Sequence, residues 1–159
     1  MTHILRFVRV FALGTWLGGI LFFSFAVAPG VFAILESRDA AGAVVGFALA
    51  RLHLIGVIAA VAFLLASLLL GRSLRALAKP AALGVAVMLL LTLISSRIVI
   101  PRMDALRAQM GSIEATPASD SRRVEFEKLH GVSVGLEGGV LLIGLIALFL
   151  TANAKAEEG

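Results

Sequence analysis

Three ionisable side chains interrupt otherwise uncharged apolar stretches of this sequence: His53, Arg97 and Glu137. Arg51 stands two residues before the first, and His130 and Ser133 stand seven and four residues before the last. An arginine and a carboxylate in an apolar medium can neutralise one another, because a lone charge costs at least about 2.5–3.5 kcal/mol at the centre of a membrane helix. If solvated, the same set makes an electropositive pocket for an anionic or protonatable solute. His53 and His130 are also the pair that a haem b iron or a copper ion would need, at an axial offset of about 9 Å on ideal helices. His130 and Glu137 lie two turns apart, about 10 Å along the axis, which is too far to chelate one ion. The chain has no cysteine, so thiolate metal sites and thiol chemistry are excluded. It has no P-loop, H-E-x-x-H or G-x-S-x-G motif and no paired catalytic carboxylates, so the expectation is no enzyme and no resident cofactor.

The elements that hold these residues follow from composition. Of 159 residues, 60% are hydrophobic and 15% charged, and the mean hydropathy is +1.03. A soluble domain runs about 45–50% apolar and about 25% charged, and one of this size still wets roughly 30% of its surface. The surplus excludes a water-soluble enzyme and points to a lipid bilayer as the main partner. The net charge of +4 does not indicate nucleic acid, since the basic residues are scattered and no Tyr and a single Trp accompany them.

A bilayer core about 30 Å thick needs about 20 apolar helical residues. The uncharged runs predict four spans, at about residues 10–35, 43–71, 80–101 and 124–152, with a polar outer loop at about 108–121. Pro29 is expected to bend or end the first, and Pro101 to interrupt the third. Met103, Leu106 and Met110 keep a helical spacing that carries the third span beyond the membrane. The start resembles a signal peptide, but its apolar run exceeds the 7–15 residues of such a segment, so it reads as a retained helix. The expected fold is all-α: a single-domain, up-down-up-down four-helix membrane bundle whose third and fourth spans extend past the outer face.

Depth can then be counted at 1.5 Å per residue. His53 lies about 27 Å from the inner end of its span, Arg97 about 25 Å, and Glu137 about 25 Å. The three share a level in the outer part of the bilayer, with Arg51 beside it; His130 is higher, about 36 Å from the inner end. The plainer expectation is an Arg97–Glu137 ion pair capped by His53 and Arg51 that holds the bundle together. The sharper one is a polar outer-leaflet pocket of Arg51, His53, Arg97, His130, Ser133 and Glu137 serving small-solute or ion handling. The alternative is a haem- or metal-binding redox module through His53 and His130.

His130, Ser133 and Glu137 fall within about 60° of one another on a helical wheel. Gly131, Gly135 and Gly139 form a ridge on roughly the opposite face, and Gly14 and Gly18 repeat the spacing in span one, as Gly42 and Gly46 do in span two. Small residues at this spacing let helix backbones approach closely in membranes. Packing within the bundle is the expected use, and a homo-oligomer the alternative. Arg6, Arg9 and the basic 72–79 loop favour both termini on the cytoplasmic side of a bacterial inner membrane, although six Lys and Arg fall inside and eight outside.

Three stretches carry a family resemblance: Trp16-Leu17-Gly18-Gly19 followed by Ala28-Pro29; Pro101-Arg102-Met103-Asp104-Ala105-Leu106-Arg107; and Phe126-Glu127-Lys128-Leu129-His130-Gly131-Val132-Ser133. They resemble the transmembrane protein 205-like family, whose bacterial members are grouped as domain of unknown function 4149. The resemblance implies a four-helix membrane protein without an established activity. A more distant similarity is to copper-resistance D-type four-span modules, some of which are associated with haem.

Overall fold

The computed structural model describes residues 1–154. Four helices long and apolar enough to cross a membrane dominate it, at Thr2–Ile34, Arg38–Gly71, Pro80–Met110 and Ser121–Asn153. No strand occurs among the described residues. The chain is an all-helical, four-span integral membrane bundle. Each span starts or ends farther out than its uncharged run, because polar residues continue a helix through the interface once its apolar part is in place.

Local chemistry sets the ends. Ser37 caps span two by accepting from the Ala40 amide at 3.2 Å. Pro80, whose missing N–H costs nothing in a first turn, opens span three. Asp120 caps span four by accepting from the Arg122 amide at 2.9 Å. Gly111, at φ +72°, turns the chain out of span three in a conformation that glycine adopts without strain. A short 3-10 turn, Leu74–Ala78, fills the 72–79 loop.

Neither proline stops its helix. Each is preceded by one wide π-helical turn, Phe23–Val27 before Pro29 and Ser95–Val99 before Pro101. The Ala28 amide reaches back to the Phe23 carbonyl, and the Ile100 amide to that of Ser95, five residues rather than four. Widening the turn moves the backbone away from the proline ring and spares the carbonyls it would strike. Spans one and three therefore run on to Ile34 and Met110.

Neighbouring spans pack in a closed ring of one, two, three, four and back to one, with spans two and four on a diagonal. The main apolar core fills the half nearer the termini, around Leu13, Trp16, Ile20, Phe63, Val85, Met88 and Val140. Isolated glycines allow its closest approaches. A Cβ on Gly56 would meet the Trp16 indole at 2.5 Å, and one on Gly144 would strike Leu17 and Met88. A second, smaller core of Val99, Met103, Leu106 and Phe126 joins the extensions of spans three and four at the far end.

The expected glycine ridge is different. A Cβ added at Gly14, Gly18, Gly131 or Gly135 would meet nothing within 4 Å, and all four lie exposed on the bundle surface. Only Gly139 approaches a neighbour, Leu91, at an ordinary 3.5 Å. Four-residue spacing places glycines on one face without fixing which way that face turns. The Gly42–Gly46 pair does have a tenant: the Arg107 guanidinium lies over it, 3.1 Å from where a Gly42 Cβ would stand.

Candidate functional site

Between the two apolar cores lies a layer of buried polar side chains. In span three, Thr92 and Ser95 fall between Met88 of the main core and Val99 of the outer one; in span four, Ser133 and Glu137 fall between Phe126 and Val140. His53 of span two joins them. Its Nε2 is 3.3 Å from Glu137 Oε2, and the two side chains are 6% and 13% exposed. Because spans two and four are diagonal, this hydrogen bond crosses the centre of the bundle.

The Arg97–Glu137 ion pair expected from depth does not form. Arg97 lies inside the π turn of span three and is exposed on the outer surface. The wide turn shifts every later residue around the helix axis, so a face counted at 100° per residue is wrong there. Arg51 is also exposed, with its guanidinium 5.0 Å from the Phe47 ring centroid on its own helix, a cation–π contact that shelters the charge. Ser133 is buried one turn from Glu137. His130 is exposed near the outer end of span four, while His53 is in the bundle centre, so the two histidines are not brought together. Among the described residues no three His, Asp or Glu side chains converge as a metal site would require.

Thr92 and Ser95 are the members that sequence reasoning missed. Both are almost fully buried, and Ser95 Oγ has no hydrogen-bond partner among the described residues. The contacts of Leu91 with Gly139, and of Ile143 and Ala147 with Gly84, fix the antiparallel register of spans three and four. That register sets Thr92 and Ser95 at the level of Glu137. A buried hydroxyl without a partner is uncommon in a folded protein. The available signal was a Ser-Ser step in a run with no charge from Pro80 to Ser96.

The outer loop is tied down beside this layer. Asp39, in the first turn of span two, accepts from Ser112 Oγ at 2.5 Å and from the Ile113 amide at 3.0 Å. The Arg38 amide donates to Glu114 Oε2 at 3.3 Å. Arg107 stands over the Phe126 ring at 5.6 Å, which links the loop's base to span four. Arg122 donates to Asp120 through Nε and Nη2, at 3.0 and 2.6 Å, and through Nη1 to the Gln109 carbonyl at 3.2 Å. The paired guanidinium, aided by the Arg122 amide, holds the Asp120 carboxyl down at about 2.

A known family pattern, described as Domain of unknown function (DUF4149), matches residues 11–112. The chain belongs to that family. The match runs from the third turn of span one through the end of span three, so the DUF4149 segment contains His53, Thr92 and Ser95, whereas Ser133 and Glu137 lie beyond it. The imidazole thus comes from the matched segment and the carboxylate from the span that follows. No curated protein and no solved structure matches this chain.

Proposed function

We propose that this DUF4149 protein is a non-enzymatic membrane protein that handles a small solute or ion, with His53 and Glu137 as a proton-holding pair at its centre. The single observation that carries the reading is the 3.3 Å bond across the bundle diagonal. An imidazole protonated at Nε2 donates to the Glu137 carboxylate. When a second proton enters at Nδ1, the Nε2 proton can pass to Oε2, leaving a neutral imidazole and a neutral carboxyl joined by the same bond. The pair can therefore take up one proton and lose its net charge without moving a helix. In a medium where charge is costly and ionisable groups mark pathways, this is a transferable proton rather than a fixed pair. Ser133, Thr92 and Ser95 supply hydroxyls at the same level.

The end carrying both termini is read as cytoplasmic, in a bacterial inner membrane. Its short 72–79 loop has three basic residues and no acid, whereas the connections at the opposite end, residues 35–37 and 111–120, have no Lys or Arg. Short basic loops resist translocation. Reporter fusions at Gly111 and after Asn153 should localise oppositely, with the second one inside.

Vesicles reconstituted with the protein and loaded with a pH-sensitive dye test the function. An imposed pH gradient should decay faster with the natural chain than with Glu137→Gln or His53→Gln. Decay equal in all three and in empty vesicles would sink the reading.

A further inference from the structure

The ring of helices closes fully only in its half nearer the termini. There, Thr2–Phe22 of span one packs on span four, and Pro80–Ile94 of span three packs on span two. Beyond the polar layer, span one packs on span two and span three on span four, so the bundle divides into two helix pairs. Among the described residues, 23–34 of span one bury no side chain, and span two buries only Ala41 before Leu52. The main core draws on all four spans, whereas the buried side chains of the outer core come from spans three and four alone. The layer of His53, Ser95, Ser133 and Glu137 is therefore sealed by a large core toward the termini and faces a crevice between the helix pairs on the other side.

One charged side chain stands in that crevice. Arg107 of span three has Nη2 3.1 Å from where a Gly42 Cβ would stand and Nη1 4.0 Å from that of Gly46, both on span two. Its Cζ is 5.6 Å from the centroid of the Phe126 ring on span four. The guanidinium thus bridges both helix pairs, about 18 Å outward of Ser95 on its own helix. Its ties are weak. Nε is buried with no hydrogen-bond partner among the described residues, and Nη1 is 4.0 Å from Asp104, whose side chain is 65% exposed. Asp39 attracts it by charge alone, its own bonds being to Ser112 and Ile113. A guanidinium held in this way can swing aside on its flexible stem. While in place, it sets the sign of the potential that an entering solute meets, favouring anions and turning cations back.

We propose that Arg107 is the outer gate and charge filter of the His53–Glu137 site, admitting small anionic solutes in preference to cationic ones, a role that rests on the reading of that pair as the working centre. The natural chain has no cysteine, so a single introduced one reports access. Ser133→Cys, at a buried position one turn outward of Glu137, is made in the full chain in detergent. Its modification is timed with an anionic and a cationic methanethiosulfonate of similar size. Arg107→Met keeps the length of the side chain without its charge, and should lower the anion-to-cation ratio of rates by about tenfold or more, the lower end of what charge-lined clefts do to encounter. Arg107→Lys keeps the charge and should hold the ratio near that of the parent. Arg107→Gln serves if Arg107→Met does not fold, and Ser95→Cys reports on the same layer from span three if Ser133→Cys does not. A ratio that the uncharged variant leaves unchanged overturns the proposal, as does the absence of modification in every variant. Equal acceleration of both reagents also overturns it, by making Arg107 a steric plug without a filter. These rates do not depend on proton movement. An unchanged ratio beside His53- and Glu137-dependent decay of a pH gradient removes the gate alone, whereas a shifted ratio without such decay removes the proton-holding role alone.

Discussion

Replacing His53 and Glu137 singly and together separates the observed pair from the one that depth alone suggests. Leucine at either position fills much of the same volume and leaves one buried polar group without its partner. Such an orphaned group costs about 1–3 kcal/mol. The loss of one member of a fully buried ion pair reaches about 3–5 kcal/mol, but here a single bond is made at 3.3 Å and Glu137 is 13% exposed. Hydrogen bonds between membrane helices average about 0.6 kcal/mol in double-mutant cycles and reach about 1.7 kcal/mol. His53→Leu and Glu137→Leu should therefore each destabilise by about 2 kcal/mol. His53→Leu/Glu137→Leu should fall short of additivity by about 1–1.7 kcal/mol. Arg97→Leu, at an exposed site, should stay within about 0.5 kcal/mol of the parent. Equilibrium unfolding in mixed micelles of denaturing and non-denaturing detergent measures all four. Additive losses at positions 53 and 137, or coupling of Glu137 to Arg97 instead, would refute the diagonal pair.

Further outcomes follow from the packing and from the outer loop. Gly56→Ala drives a methyl into the rigid Trp16 indole and should cost more than about 1 kcal/mol. Gly131→Ala and Gly135→Ala, in open space, should be neutral or gain up to about 1 kcal/mol from helix propensity, and the same unfolding series ranks them. Asp120→Ala should speed proteolysis within residues 111–120, because it removes the cap of span four and the anchor of Arg122. The carboxyl of Asp120 is lowered from 3.8 to about 2. Its contribution is fully present above the unfolded value and fades as pH falls toward 2, so acid should loosen the natural loop in that window, and Asp120→Ala should keep only the part of that response that comes from Asp39, whose carboxyl the Ser112 hydroxyl also holds low.

What was legible in the residues was depth, and what was not was azimuth. Charge-free runs locate the four spans because a charge in hydrocarbon is costly, and counting residues put His53 and Glu137 at one level. Counting could not reveal that spans two and four are diagonal, so Glu137 was matched with Arg97, the stronger opposite charge. Arg97 itself sits in a π turn, where the residue count no longer gives the face. Pro29 and Pro101 suggested a break because a proline removes an amide donor; a widened turn accommodates each of them instead. The G-x-x-x-G spacings of Gly14 with Gly18 and of Gly131 with Gly135 are conspicuous as a pattern yet face outward. Gly56 and Gly144, which allow close approaches between spans, carry no pattern because their need comes from Trp16 and Leu17 on another span. The place of Arg107 was hidden for a similar reason: Gly42, Gly46 and Phe126 are distant from it in sequence and meet it only when the helices pack.

The central claim is that one proton is shared between His53 and Glu137, and infrared difference spectroscopy of the reconstituted protein during a pH titration tests it most directly. The absorption of a protonated carboxyl should appear in the natural chain and vanish in Glu137→Gln. In His53→Gln it should persist at a displaced frequency, because its hydrogen-bond partner has changed. A band assigned to Glu137 that is identical in frequency with and without His53 would contradict the claim.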